Sequence, residues 1–262
     1  MTETPARLAP VRLAIAGALG RMGQAVAKSA EGRGDVAVAA RFDRPVADQA
    51  GLVSMAEAIA LSEVVIDFTV PEASVALAEL AAGRGGVALV IGSTGLSLDQ
   101  IRRIDQAASR IAIVRSGNYS LGVNMLLGLV EKAARSLPVD FDIEVHEAHH
   151  RRKVDAPSGT ALMLGEAAAR GRDLDLAKVK VAARDGLTGP RPEGAIGFSV
   201  VRGGGIIGDH SVIFAGDEEI LTLSHHASDR GLFARGALAA ALWVAGKPPG
   251  LYDMQDVLGL KA

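Results

Sequence analysis

Cysteine is absent from the 262 residues, which excludes disulfides, thiolate catalysis and cysteine metal sites and favours a cytoplasmic setting. Aromatic residues are scarce: one Trp, two Tyr and six Phe offer little with which to build a base-stacking platform. Neither sign of charge is in excess. Lys and Arg number 28 against 30 Asp and Glu, a formal net charge of -2, so neither nucleic acid nor an anionic membrane is expected as a partner. No apolar run is long enough to span a bilayer, and Met1 to Pro10 lack the apolar core of a secretory signal. Internal repeats and low-complexity tracts are also missing. What remains is a chain 49% apolar, typical of a globular protein and long enough for one large domain or two small ones.

The densest chemistry lies in Glu147-Ala148-His149-His150-Arg151-Arg152-Lys153-Val154-Asp155-Ala156-Pro157-Ser158-Gly159-Thr160-Ala161. Before it, Phe141 to Val145 alternates apolar and acidic, the period of a strand. After it, Thr160 to Arg170 reads as a helix, with Pro157 at its entry and Ser158 as its cap. Amides at Ser158, Gly159 and Thr160 are then expected to face an anion, favoured there by the helix dipole. Gly159 admits a close backbone approach. This describes a pocket for a small carboxylate with proton donors beside it; the plainer alternative is a solvated basic loop. His146-Glu147-Ala148-His149-His150 also spells HExxH, which binds zinc only on a helix. On a strand the two histidines stand roughly 13 Å apart at about 3.3 Å per residue, too far to share one ion at about 2 Å. No metal is expected.

From the amino terminus, Val11 to Ala16 reads as a strand, Gly17-Ala18-Leu19-Gly20-Arg21-Met22-Gly23 as a glycine turn, and Gln24 to Ala30 as a helix. Strand, glycine turn and helix form the context of a dinucleotide fingerprint, here spaced GxxGxxG rather than GxGxxG. A second strand, Val36 to Ala40, leads to Asp43, placed to hold ribose hydroxyls, and Arg44, suited to a 2′-phosphate. Further strands at Val64–Phe68, Val87–Ile91 and Ile111–Val114 alternate with helices from about Glu72 to Ala82 and Leu98 to Ser109. Alternation of this kind implies a parallel sheet with right-handed crossovers, whose ligands bind past the carboxyl ends of the strands. The loops at Gly17, Asp43, Phe68, Gly92 and Ser116 leave those ends, so a nicotinamide dinucleotide site is expected along one rim.

Near Leu121 the organisation changes. A helix, Val123 to Ser136, precedes the histidine strand. Strands near Val179–Ala183, Ile196–Arg202, His210–Phe214 and Ile220–Ser224 then follow with few helices, which implies a mixed, largely antiparallel sheet. Arg184 to Gly194 is a long Gly- and Pro-rich loop, expected to be a lid, an oligomer arm or an idle surface loop. Gly231 to Val244 is helical and fits a return to the first domain, and Met254 to Leu258 is the last patterned piece. The expected fold class is α/β. Residues 1–121 and 231–262 would form a Rossmann-like dinucleotide-binding domain, and residues 122–230 an α+β substrate-binding domain with a mixed sheet.

Over nearly all of its length after the first ten residues, the chain resembles the 4-hydroxy-tetrahydrodipicolinate (dihydrodipicolinate) reductase family of bacterial lysine and diaminopimelate synthesis. The stretch from Glu147 to Ala161 follows the family signature almost residue for residue. Gly17 to Gly23 matches its GxxGRMG turn. Gly92-Ser93-Thr94-Gly95 matches its GTTG loop apart from Ser93. Ser116-Gly117-Asn118-Tyr119-Ser120 matches its (A/S)xNFS loop with Tyr119 for Phe. Val201 to Gly204, Gly208 to His210 and Arg230 also match. The resemblance implies NADH or NADPH held by Gly17, Ala18, Leu19, Gly20, Arg21, Met22, Asp43, Arg44, Gly92, Ser93, Thr94, Ser116, Gly117, Asn118 and Tyr119, to which the rim loop after the third strand adds Phe68. It makes His149 the acid–base residue and Lys153 a second proton donor, with His150, Gly159 and Thr160 on the substrate, where the helix amides add Ser158. It also implies a homotetramer joined through the sheet of the second domain, which would then serve oligomerisation too. Tyr119 is expected to alter nicotinamide packing slightly.

The residues fit that chemistry by themselves. Hydride addition to a conjugated carbon–nitrogen ring drives negative charge to the nitrogen, and a histidine titrating near neutrality suits the proton transfer. Lys153, His150 and the amides of Gly159 and Thr160 suit a diacid. Another two-domain nicotinamide oxidoreductase, such as an amino-acid dehydrogenase, shares the amino-terminal rim without needing the histidine pair. A non-catalytic NAD-binding sensor has no use for His149 and Lys153.

Overall fold

A computed structural model describes residues 9–44, 51–182 and 184–261. The chain forms two compact units, Met1–Leu121 with Gly231–Ala262, and Gly122–Arg230.

In the first unit, β1 (Val11–Ala16) leads to α1 (Arg21–Ala30), β2 (Val36–Phe42), α2 (Met55–Leu61), β3 (Val64–Asp67), α3 (Pro71–Arg84), β4 (Ala88–Ile91), α4 (Leu98–Ala108) and β5 (Ala112–Arg115). All residues of β3 and β4 are buried, as strands covered on both faces require, which is why their sequences run apolar without alternation. Pairing is parallel throughout, with Leu13 beside Val64 and Ile66 beside Val90. The strand loops therefore leave from one end. β1 lies between β2 and β3, so the chain reverses direction across the sheet there, which opens a crevice at the strand ends.

The glycine turn after β1 is shaped by two close fits. Gly17 has φ +64°, a left-handed value that side chains disfavour. A Cβ on Gly23 would stand 2.2 Å from the Gly17 carbonyl oxygen, so helix and turn touch only because that atom is missing. α2 was not foreseen, although Ser54 and Glu57 form a capping box at its start.

The second unit holds α5 (Leu121–Ser136, whose first residue belongs to the first unit), β6 (Asp142–His149), α6 (Gly159–Gly171), α7 (Leu176–Val179), β7 (Lys180–Val181), β8 (Ile196–Arg202), β9 (Asp209–Ala215) and β10 (Ile220–His226). Its sheet runs β10-β9-β6-β8-β7, antiparallel from β10 to β6 and parallel from β6 to β7. One face is filled by Ile143, Val145, Phe198, Val212 and Phe214 against Val130 of α5 and Leu164 and Ala168 of α6. The strand expected near Val179–Ala183 is shorter: Asp175 caps the Ala177 amide and holds α7 as one helical turn, leaving two residues for β7. Ala183 itself lies outside the described residues.

Back in the first unit, α8 (Gly231–Val244) packs Ala237, Leu238 and Ala241 on the face that Val26 of α1 also covers. Ile59, Leu77 and Ile104 from α2, α3 and α4 cover the other face. The chain ends with β11 (Gly250–Tyr252), a sixth parallel strand beside β5, and α9 (Met254–Val257). Three residues are too few to display a period, so β11 had no sequence signal.

Gly23→Ala is expected to destabilise the first unit by about 1–3 kcal/mol, since backbone atoms must move to admit the methyl. Urea unfolding reads this as a lower midpoint at unchanged slope; an unchanged midpoint would mean the turn relaxes without cost.

Candidate active site

The rim of the first sheet is organised by its own hydrogen bonds. The Ala18 amide donates to the Phe42 carbonyl and the Gly20 amide to the Gly17 carbonyl. The Leu19 amide donates to the Asp43 carboxylate at 2.9 Å, which also accepts the Arg44 amide at 2.8 Å. Asp43 is thus fixed beside the glycine turn, and Arg44 is exposed next to it. α1 begins at Arg21 after Gly20, without a side-chain cap, so its first amides suit an anion.

Deeper in the rim, Asp67 is fully buried. Its carboxylate accepts the Thr69 amide at 2.8 Å, the Thr69 hydroxyl at 2.5 Å and a short bond from the Ser74 hydroxyl. Burial raises its pKa from the ordinary value even against those bonds. Ser74 in turn lies 2.8 Å from the Ser93 hydroxyl, so Asp67 ties the loops after β3 and β4 together. Ser93 and Asn118 are buried, whereas Thr94 and Gly117 are exposed. The Ser116 hydroxyl donates to the Asn118 carbonyl and the Asn118 side chain accepts the Ser120 amide.

One expectation is corrected here. The Tyr119 side chain is 1% exposed, stands edge-on to Phe68, and places its hydroxyl 2.8 Å from the Ile91 carbonyl oxygen and 3.0 Å from that of Val114. It is a core side chain with no face open to a nicotinamide, because the extra hydroxyl finds carbonyls at the ends of β4 and β5.

In the second unit the polar site grows out of strand phase. Side chains two apart on a strand share a face. On β6, Ile143 and Val145 face the helices, so Glu147 and His149 continue the same row. Opposite Glu147 on β9 stands His210, in phase with Val212 and Phe214; Arg202 ends β8 beside His149. Glu147 is fully buried, and three donor N–H groups and a histidine nitrogen meet its carboxylate. Arg202 grips both oxygens at 2.8 and 2.7 Å, the Ser158 amide reaches one at 3.0 Å, and His149 Nδ1 lies 2.5 Å from the other. Burial alone would raise the Glu147 pKa; the bonds from Arg202, then His149 and the Ser158 amide, outweigh it and hold the carboxylate below its ordinary range.

His149 turns its other nitrogen towards Gly208, whose idealised Cβ position is 3.1 Å from Nε2. Its ring packs edge-on against His210 at 5.1 Å. The Lys153 ammonium pairs with Asp155 at 2.8 Å. Burial, then the positive charges of Arg152 and Arg230 and nearby His149 and Lys153, depress the His150 pKa. Gly159 is exposed, and a Cβ there would meet nothing within 4 Å.

Ser158 requires a second correction. Its amide is taken by Glu147, its hydroxyl caps the Ala161 amide and lies 3.2 Å from His210 Nε2, and it is 2% exposed. It builds the turn and has nothing left for a substrate. Glu147, Arg202 and His210 carried no assigned role from the sequence, yet the acid in phase with Ile143 and Val145 was a readable signal. HExxH lies on the strand: His146 points away from the Glu147 row and bonds the Ser199 hydroxyl at 2.9 Å. A separate cavity of about 380 Å³, lined by Phe141, Asp142, Arg172 and Glu193, sits at the start of β6, roughly 20 Å along the strand from His149.

Two units, one a parallel sheet with a glycine turn and the other a mixed sheet ending in a carboxylate–histidine pair, define a Rossmann-type oxidoreductase. The chain belongs to the dihydrodipicolinate reductase family: the models of its N-terminus and C-terminus match residues 11–119 and 122–258. It is 72% identical to 4-hydroxy-tetrahydrodipicolinate reductase of Caulobacter vibrioides over 96% of this chain and 98% of that protein. It is 53% identical to the enzyme of the same name from Cereibacter sphaeroides, over 95% and 98%. A solved dipicolinate-bound dihydrodipicolinate reductase from a Paenisporosarcina species shares the fold with TM-score 0.78 at 22% identity, covering 94% of this chain and 98% of that one.

His210 generates a stability prediction. Burial, then the charge of His149, lower its pKa to about 4, against about 6.5 for an unfolded histidine. The unfolded chain takes up the proton first, so His210's contribution is complete above about pH 6.5 and is lost as pH falls towards 4, at up to about 1.4 kcal/mol per unit. Carboxylates titrate equally in a His210→Asn variant, so its stability should fall less steeply over this range than that of the wild type. Parallel slopes in urea titrations would contradict the assignment.

Proposed function

We propose that the chain reduces 4-hydroxy-tetrahydrodipicolinate to tetrahydrodipicolinate with loss of water, using NADH or NADPH, in lysine and diaminopimelate biosynthesis. One observation carries the site assignment within the family: the His149 imidazole and the first amide of the α6 turn bind the same buried carboxylate, Glu147. A proton carrier and a helix N-terminus are therefore neighbours, as reduction of an anionic ring requires.

The residues of the first unit suit a nicotinamide dinucleotide. The uncapped start of α1 at Arg21 and Met22 favours pyrophosphate. Asp43 is held by the Leu19 amide with lone pairs to spare for ribose hydroxyls, and exposed Arg44 suits a 2′-phosphate. Gly17, Ala18, Leu19, Gly20, Phe68, Gly92, Thr94, Ser116 and Gly117, with the backbones of Ser93, Asn118 and Tyr119, complete the reading of the rim. When bound, the cofactor supplies the hydride.

In the second unit, Gly159 and Thr160 at the start of α6 take one substrate carboxylate, and His150 and Lys153 bring positive charge to the other. His149 gives a proton to the ring nitrogen as negative charge collects there. Lys153, paired with Asp155, is a second donor, suited to the departing hydroxyl. Assembly as a homotetramer through the second sheet is supported by its outer face, where Val201 is 44% and Ile220 67% exposed beside the small residues Ser199, Ser211 and Ser224. A cytoplasmic location accords with the absence of cysteine.

His149→Gln is expected to cut kcat by about 10²–10⁴-fold, the usual worth of general acid–base help, while dinucleotide binding persists; unimpaired turnover would point to another acid. Thr160→Val should raise the KM for the diacid more than the dissociation constant for NADH, and equal losses would remove Thr160 from the carboxylate. Arg44→Ala should weaken NADPH several-fold more than NADH in fluorescence titrations, and equal weakening would exclude a 2′-phosphate contact.

A further inference from the structure

The site contains a buried carboxylate to which the reaction itself gives no part. Glu147 touches neither solvent nor the open side of the pocket, yet it receives four hydrogen bonds from three separate pieces of chain. All the donors except His149 are committed by chemistry: a guanidinium has no acceptor, and a backbone amide cannot reverse. The only partner free to choose its role is the imidazole. Facing an ionised carboxylate at 2.5 Å, Nδ1 must carry a hydrogen, since two acceptors cannot approach so closely.

We propose that Glu147 is the positioning residue of His149: pinned by Arg202 and the Ser158 amide, its carboxylate keeps the hydrogen on Nδ1 and leaves Nε2 as the atom that exchanges the catalytic proton. This rests on the reading of His149 as the acid. It adds what the family signature does not say, namely which nitrogen works and what selects it. The same carboxylate compensates the imidazolium while His149 is charged, and it fixes the ring relative to the Ser158-Gly159-Thr160 turn, because one Glu147 oxygen holds that turn and the other holds the ring.

Arrangement of the donors makes the outcome of Glu147→Gln specific. One oxygen position faces two obligate donors, Arg202 and the Ser158 amide. The single amide oxygen of Gln settles there, where both need an acceptor. Its NH₂ then takes the other position, where the second Arg202 nitrogen, an obligate donor, loses its acceptor and His149 Nδ1 has to become one. The hydrogen moves to Nε2, giving the opposite neutral tautomer with the ring in the same place.

The test uses the full-length protein labelled with ¹⁵N-histidine, with the His149 resonances assigned by their loss in His149→Gln. In the wild type at a pH where the ring is neutral, the Nδ1 signal should be that of a protonated nitrogen and Nε2 that of a bare one. An Nε2-protonated wild type overturns the proposal without any Glu147 variant, so it stays testable even if Glu147→Gln misfolds. In Glu147→Gln the two signals should exchange, and kcat should fall by about 10²-fold or more while KM and the NADH dissociation constant stay within about twofold, since neither tautomer moves the anion turn. Glu147→Asp, which restores charge at a shorter reach, should recover part of kcat and the Nδ1-protonated signal. Full activity in Glu147→Gln, with His149→Gln inactive, overturns the positioning role alone. Full activity in His149→Gln overturns the reading beneath it.

Discussion

The ion pair between Glu147 and Arg202 is the constraint on which the site of the second unit depends. Taking a carboxylate out of water costs several kcal/mol unless its lone pairs are met. Here Arg202 meets both oxygens, and the Ser158 amide and His149 take what remains. Loss of one partner would leave buried charge uncompensated, a defect worth about 3–5 kcal/mol. The ends of β6 and β8 and the turn before α6 are therefore clamped together by one residue. Local stability and site geometry are the same set of bonds, so a variant that loosens the clamp disturbs both.

The first unit solves the same problem with neutral partners. Asp67 stands at the end of β3, and among the described residues hydroxyls and an amide of Thr69 and Ser74, rather than a cation, meet it. Its pKa rises, whereas that of Glu147 falls. The contrast follows from what each acid must do. Asp67 joins two loops through neutral donors. Glu147 faces an imidazole, and only a charged acceptor imposes a direction on it.

Much of this architecture could be read in the residues. The alternation of strands and helices to Val114, the glycine turn, the change near Leu121 and the helix from Gly231 to Val244 all appear in the fold because each rests on a local pattern. Pieces whose pattern is shorter than a period did not show: β11 is three residues long, and α7 replaces strand residues because a single cap at Asp175 decides it. At the site, the residue types suited to a ligand were visible in one contiguous stretch. The groups that hold them were not, since Arg202 and His210 reach Glu147 and Ser158 only through sheet pairing across more than fifty positions. Tyr119 and Ser158 show the converse. Each sits in a motif of functional residues and is turned inward, and only burial reveals it.

Why so polar a row sits on the core face of a sheet follows from charge. The proposed role has His149 carry a proton next to His210, ring to ring at 5.1 Å. Two imidazolium rings at that separation would repel strongly in a buried setting. His210 avoids the conflict by staying neutral: burial holds its pKa at about 4, so at neutral pH it offers an uncharged edge to its neighbour. The same burial that weakens the protein towards acid thus keeps the space beside His149 free of competing positive charge. Glu147 supplies a negative charge in contact with the ring, and the two effects act together. Moved outward by one strand position, the row would face the opposite side of the sheet, where neither the carboxylate clamp nor the neutral histidine exists.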